Sequence, residues 1–305
     1  MPDVAGGREE TERPVGAQAK SKLGRFLAKS NRGKYAALAR LAMGTLGVPA
    51  VPVRLSFGAW WLAGQGTLDE RLLNGEFETS ELRFVESYLQ PGMTVLDIGA
   101  HHGLYSVLAA KRVGKNGRVR SFEPSPRECK FLKHNLRINR CRNVQIENFA
   151  LGSGSGQGVL FLVEGAEDVC NSLRPPAAEV TTTKVSVEVR PLDEYLEQQR
   201  IEKVDFIKLD VEGAELEVLR GAKRLLSSVN RPVILAEVQD MRTAPWGYRA
   251  EEVIRYLEEF GFCWYGLSES GGLTPLDTKA MVYDGNFVAC PEEKSTVSFF
   301  AEYRG

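Results

Sequence analysis

The chain has 305 residues, of which 43% are hydrophobic and 26% charged, and its formal net charge is −1. That composition excludes a protein disordered throughout and leaves room for one large α/β domain with an extension, or for two modest domains. The charge is uneven: no acid stands between Glu12 and Asp69, an interval holding nine Lys or Arg, so the rest of the chain carries −10 against an overall −1.

Residues 1 to about 20 are polar and without periodicity, the pattern of a disordered start. From Lys22 to Met43 apolar residues recur at roughly helical intervals among cations, broken near Ser30 to Gly33. Residues 1–45 therefore read as a basic, partly disordered or helical extension. A solvated surface packing one face on the core is favoured over weak contact with an anionic membrane surface or polyanion. Residues 46–305 read as one folded domain. Within it, Val51 to Leu62 and Gly64 to Asn74 suggest short strands and turns, with a helix over Ser80 to Leu89. Of the adjacent Trp60 and Trp61, strand alternation places one in the core and one outside. The apolar run Val48 to Ala63 is broken by Arg54 and two prolines and is too short for a spanning helix.

The segment from Thr94 to Ala110 organises the rest. Val95 to Ile98 is a short β-branched run between turn signals, hence a buried parallel strand. Leu104, Val107 and Leu108 then recur at helical spacing, Lys111 and Arg112 suit a last turn, and Gly114 suits a helix end. Gly99 to Gly103 is thus a tight loop leading into a helix N-terminus, where a ligand can approach free amides. Arg118 to Glu123 is a second strand, and Ser125, Pro126 and Glu128 form a capping-box start to the next helix. A third strand spans Val144 to Leu151. An antiparallel pair, Val159 to Val163 and Thr183 to Val189, is inserted before the winding resumes. Val204 to Val211 is then a strand and Glu212 to Leu226 its helix. Val233 to Val238 is the next strand and Ala250 to Phe260 the next helix, and Phe262 to Leu267 with Asn286 to Cys290 closes the sheet. Repeated βαβ order means a doubly wound α/β sheet with ligands at the carboxyl ends of its strands.

Four strand ends bring polar groups to that edge: Asp97 with its loop, Glu123, Asn148 to Ala150, and Asp210 with Glu212. An acid ending the second strand, 26 residues after Asp97, suits the ribose hydroxyls of an adenosine-containing ligand, whether a dinucleotide or S-adenosyl-L-methionine. A dinucleotide loop needs Gly-x-Gly-x-x-Gly. Here Gly99 and Gly103 are separated by three residues, two of them His101 and His102, which disfavours pyrophosphate.

Asp97-Ile-Gly-Ala-His-His-Gly103, Phe122-Glu-Pro-Ser-Pro126, Asn135-x-x-x-Asn139, Asp205-Phe-Ile-Lys-Leu-Asp-Val-Glu-Gly-Ala-Glu215 and Leu219-Arg-Gly-Ala222 stand in order along the chain. Together they resemble the FkbM family of S-adenosylmethionine-dependent methyltransferases, over a core of residues 94–262, with Phe77-Glu78 similar to an element just upstream. The resemblance implies a class I methyltransferase (Rossmann-like) doubly wound sheet with an antiparallel last strand, and O-methylation of a hydroxyl on a carbohydrate or secondary metabolite. It further implies that Asp97, Gly99, His101 and Gly103 shape the methionine end of the cofactor pocket. Glu123 would hold the ribose, and Phe149 with Ala150 would lie against adenine. One departure is His101, where the family pattern usually has Asn.

Methyl transfer to an alcohol needs an aligned oxygen and a destination for its proton. Asp210 and Glu212 are the first candidates for that role. His102, with His101 beside it, is an alternative because histidine titrates near neutrality. Asp210 and Glu212, with Glu237 or Asp240, could gather a magnesium ion, but no dedicated metal signature exists and no metal is expected. The five cysteines are odd in number and never in a Cys-x-x-Cys pair, which argues for a reducing compartment and against a zinc or disulfide framework. With no signal-peptide order at the start, a cytoplasmic enzyme is expected, acting on a small-molecule or glycan acceptor and not on nucleic acid. The rival readings are a nicotinamide-dependent oxidoreductase and a non-catalytic protein that binds lipid or polyanion.

Overall fold

The computed structural model describes residues 51–64, 67–164, 171–175, 180–280 and 282–295. The basic extension at 1–45 lies outside these.

The first described elements are a hairpin of β1 (Val51–Arg54) and β2 (Trp60–Ala63), followed by α1 (Thr67–Asn74) and α2 (Thr79–Tyr88). Trp61 is fully buried and Trp60 exposed, as alternation requires. The helix α1 replaces the strands and turns expected over Gly64 to Asn74. Its cause is tertiary: Asp69 accepts hydrogen bonds from Gly64 N at 2.6 Å and Trp61 Nε1 at 2.8 Å, clamping a helical turn onto β2.

The central unit is β3 (Thr94–Ile98), α3 (Leu104–Val113), β4 (Arg118–Phe122), α4 (Pro126–Ile138) and β5 (Val144–Glu147). Ser125 caps α4, its hydroxyl accepting from Glu128 N at 3.3 Å, but the Glu128 side chain does not return to close the box. Asn135 on α4 and Asn139 at its C-cap are structural. Asn135 donates to His102 O at 3.0 Å and accepts from Leu62 N at 3.2 Å, while Asn139 accepts from Trp60 N at 2.8 Å. The pair ties the hairpin and the Gly99–Gly103 loop to one helix.

The third strand does not run unbroken to Leu151. It stops at Glu147, Asn148 donates to Glu123 O at 2.8 Å, and β6 (Ala150–Leu151) pairs with a different sheet. That sheet comprises β6, β7 (Gly156–Val163) and β8 (Thr182–Arg190), the last two antiparallel as expected of the insertion. Next come α5 (Leu192–Gln198), β9 (Phe206–Leu209), α6 (Glu215–Arg220) and α7 (Lys223–Leu226). The helix expected over Glu212 to Leu226 is two short helices. Glu212 and Gly213 adopt left-handed φ of 54° and 97°, which no α-helix tolerates, so α6 starts only at Glu215. Gly221 then packs against the chain at Gly152, where an added Cβ would lie 2.1 Å from Gly152 O.

The chain ends its described course with β10 (Val233–Gln239), α8 (Asp240–Thr243), α9 (Ala250–Glu259), β11 (Phe262–Leu267), β12 (Leu273–Pro275), β13 (Asp284–Pro291) and α10 (Glu292–Ser295). The main sheet has the order β12-β11-β13-β10-β9-β3-β4-β5. Its β10, β9, β3, β4 and β5 are parallel, and β13 runs antiparallel to both β10 and β11. This is the class I methyltransferase sheet expected, with β12 added at one edge. The sheet is buried on both faces, one cluster holding Leu96, Ile207 and Ile234 and the other Val95, Phe206 and Val233. Strands buried on both sides must be apolar throughout, so a charge inside one stands out. Among the described residues no helix is long and apolar enough to cross a membrane.

Candidate active site

The carboxyl ends of β3, β4, β9 and β10 open onto a cavity of about 580 Å³. It receives Asp97, Gly99, His101, His102, Glu123, Phe149, Ala150, Asp210 and Glu212. Of the residues expected to carry catalysis or hold the cofactor, Gly103 alone does not line it. Gly103 sits at the start of α3 with φ 88°, and a Cβ there would lie 2.4 Å from Leu132 Cδ1, so it serves close packing on α4.

At one end of the cavity the loop after β3 turns sharply. Gly99 N and Ala100 N both donate to Phe122 O at 3.0 Å, and a Cβ on Gly99 would stand 1.6 Å from Asp210 O. His101 has φ 48°. Asn, Asp and His are the non-glycine residues that enter this left-handed region most readily, so His suits the turn. Glu123, 5% exposed, fixes the same loop: its Oε2 accepts from His101 N at 2.7 Å and its Oε1 from Ser125 N at 2.8 Å. Burial pushes its carboxyl up to about 8. Asp97, also buried, accepts from Ser106 Oγ at 2.5 Å, and burial pushes it up to about 6. Phe149, packed edge-on to Phe122, has the Arg190 guanidinium 4.4 Å from its ring centre.

At the other end stand the carboxylates. Asp210 follows β9 directly, Glu212 occupies the left-handed turn, and Glu237 comes from β10. Their oxygens lie within 4.8 Å of one another, a spacing a cation can share. Two countercharges are already present: Lys208 Nζ is 3.3 Å from Asp210 Oδ2, and Arg242 Nε is 2.9 Å from Glu212 Oε2. Burial and then the Asp210 charge push Glu212 up to about 8 and Glu237 well above the carboxylate range.

Sequence reasoning missed Lys208, Tyr105 and Asn286. Lys208 is 2% exposed inside β9 and also donates to Asn286 Oδ1 at 2.9 Å. Burial would lower its pKa, but the carboxylates of Asp210, Glu78 and Glu237 push it up. The signal was available: a lysine inside an otherwise apolar parallel strand must find partners. Glu78, held at φ 42° just before α2, accepts from Tyr105 Oη at 2.5 Å and from Asn286 Nδ2 at 3.3 Å. Burial raises the Glu78 carboxyl. The upstream Phe77-Glu78 element thus joins the cavity through a strand more than 200 residues away.

His102 is engaged: its Nε2 lies 2.9 Å from Glu128 Oε2. The inserted sheet reaches the cavity through Asn171, which donates to Glu128 Oε1 at 3.0 Å, and Ser172, which donates to Glu212 O at 3.0 Å. Trp246 stacks with the Arg174 guanidinium at 4.8 Å, and the Tyr248 hydroxyl donates to Gly213 O. These two aromatics brace the turn after β9.

A strand-end acid alone left the choice between a dinucleotide and a methyl donor open. The family model of the methyltransferase FkbM domain matches residues 97–263, more than half of the chain. The chain belongs to the FkbM methyltransferase family. Methyltransferase 1 of Beauveria bassiana is 29% identical over 147 residues, covering 42% of this chain and 57% of that protein. The 2-O-methyltransferase NoeI of Sinorhizobium fredii is 25% identical over 154 residues, with coverages of 45% and 60%. The hexuronic acid methyltransferase AglP of Haloferax volcanii is 28% identical over 170 residues, with coverages of 54% and 63%. The matched region thus spans about three fifths of the length of these relatives. A solved FkbM methyltransferase from Methylobacillus flagellatus KT is similar at 18% identity and TM-score 0.42, covering 73% of this chain and 54% of that one.

Proposed function

We propose that this FkbM methyltransferase uses S-adenosyl-L-methionine to methylate a hydroxyl of a carbohydrate or secondary metabolite. The observation that carries the reading is the meeting of two halves in one cavity. The glycine loop with Glu123 and Phe149 forms one half, and Asp210, Glu212 and Lys208 form the other.

The residues present suit the cofactor. The left-handed turn at Gly99 leaves no room for a side chain, Glu123 offers a fixed carboxylate to ribose hydroxyls, and Phe149 with Ala150 gives adenine an apolar wall. When bound, S-adenosylmethionine supplies a methyl group already activated on its sulfonium. What remains for the chain is alignment of the acceptor oxygen and removal of its proton.

Asp210 is the first base in this reading. Its backbone carbonyl packs against the Gly99 turn, its side chain is 27% exposed, and Lys208 Nζ lies 3.3 Å from one carboxylate oxygen. Glu212, pushed up to about 8 and 15% exposed, is the second, poised to exchange a proton near neutrality. His102 is a weaker candidate because Glu128 holds its Nε2. Carboxylates also accept hydrogen bonds from several sugar hydroxyls at once, and the 2-O-methyltransferase activity named for NoeI and the hexuronic acid acceptor named for AglP support the same reading. Five scattered cysteines, odd in number and never in a Cys-x-x-Cys pair, support a cytoplasmic site of action.

Incubation with methyl-labelled S-adenosylmethionine and a panel of sugars, glycolipids and cell extract, followed by mass analysis, tests the reading. Label on a hydroxyl oxygen is the expected result. Label on nitrogen or carbon, or stabilisation by NAD and not by S-adenosylhomocysteine in a thermal-shift comparison, would overturn it.

A further inference from the structure

We propose that His101, His102 and Glu128 form a binding site for one divalent transition-metal ion of the zinc class, tying the Gly99–Gly103 loop to α4. The two imidazoles are neighbours in the loop, and Glu128 sits in the first turn of the helix. His102 Nε2 lies 2.9 Å and His101 Nε2 3.9 Å from the same carboxylate oxygen, Glu128 Oε2. All three donor atoms fall within 4.8 Å of one another.

Two further observations point to a ligand. The first is that His101 Nε2 is buried with no hydrogen-bond partner, a costly state for an imidazole nitrogen that a metal bond relieves. The second is the arrangement behind Glu128. Its other oxygen, Oε1, accepts from Arg127 Nε at 2.6 Å and Asn171 Nδ2 at 3.0 Å, which turns Oε2 toward the imidazoles. A carboxylate oriented by outer hydrogen bonds is the usual support of a metal ligand.

Donor chemistry selects the ion. Two imidazole nitrogens and one carboxylate oxygen, with a remaining position toward the cavity, suit zinc, cobalt or nickel, whereas magnesium and calcium prefer oxygen alone. The rings now stack 3.9 Å apart at 18°. An ion at about 2.0–2.1 Å from each nitrogen requires them to open. That is a side-chain rotation, because the loop backbone stays held by Glu123 at His101 N and by Asn135 at His102 O. The site depends on the residue at position 101: an Asn there would remove one imidazole.

Zinc chloride titrated calorimetrically into the chelator-treated full chain tests the site, with cobalt absorption as a report of the ligands. The expected result is one equivalent of zinc and a cobalt spectrum without a thiolate charge-transfer band. H101N, which keeps a residue suited to the left-handed turn, and H102Q should each bind at least about tenfold more weakly. H134Q, on the exposed third histidine, should bind as the unaltered chain does. Absence of saturable binding up to about 100 μM zinc, unchanged affinity in H101N and H102Q, or a thiolate band assigning the ion to cysteine would each overturn the proposal.

Discussion

Lys208 Nζ lies 3.3 Å from Asp210 Oδ2, and the two side chains leave the β9 edge on one face because they are two residues apart. The ammonium is buried, so the pair is weakly screened, and it holds Asp210 in one orientation toward the cavity. Replacing Lys208 with Met should lower kcat for methyl transfer by about 100-fold while leaving S-adenosylhomocysteine affinity unchanged. Lys208→Arg should restore part of the loss. Equal losses in kcat and in S-adenosylhomocysteine binding would mean that Lys208 serves the fold alone.

Glu123 offers the second test. Its carboxylate accepts from two backbone amides of the cofactor end, and Glu123→Ala would leave both unpaired as well as removing the ribose acceptor. S-adenosylhomocysteine should bind about 10- to 100-fold more weakly in titration calorimetry, with the melting temperature also lowered. Unchanged affinity would remove Glu123 from the cofactor site.

The pH dependence of stability follows from the same residue. Its folded pKa, about 8, lies above the ordinary carboxylate value of 4.5, so between these values the folded state binds more protons than the unfolded one. Stability therefore falls as pH rises through that window, by an amount on the order of a few kcal/mol for a fully buried group. Glu212, also near 8, and Glu215, near 7, act in the same direction. Urea unfolding from pH 5 to about pH 8 should show this decline, and Glu123→Gln should flatten it. A steeper decline in the variant would contradict the assignment.

Gly99→Ala should be among the most damaging single-methyl changes in the chain. The position has φ 85°, and the added carbon would stand 1.6 Å from Asp210 O, which is backbone and cannot swing away. A loss of about 2–4 kcal/mol is expected, read as a fall in urea midpoint, together with weaker S-adenosylhomocysteine binding. A variant as stable as the parent would mean that the turn is not built as described.

Much of this was legible in the sequence because it is local. The run Val95 to Ile98, the loop Gly99 to Gly103 and the Ser125-Pro126 cap form where their own residue types direct them. The order of strand ends followed from repeated βαβ winding, so the convergence of Asp97, Glu123, Phe149 and Asp210 was readable before any coordinates. Where reading failed, a distant partner had intervened. Asp69 drew a helix onto Trp61, and Gly213 stopped the helix after β9 because its Cα faces Arg242 O, where a Cβ would lie 2.0 Å away.

Glu128 shows the division between sequence and tertiary structure most clearly. Its spacing from Ser125 gave the helix start, since capping depends on neighbours three residues apart. Its carboxylate nonetheless left the cap for His102, Arg127 and Asn171, and although burial pushes it up, His102, His101 and Arg127 hold it down near 2. Lys208 is the parallel case. The sequence by itself determined that a charge lay within a buried strand. Only the folded sheet decided that its partners would be Asp210 and Asn286, because β13 reaches that edge from 78 residues away. Short-range geometry is written in spacing, whereas the pairing of buried charges is decided by which strands become neighbours.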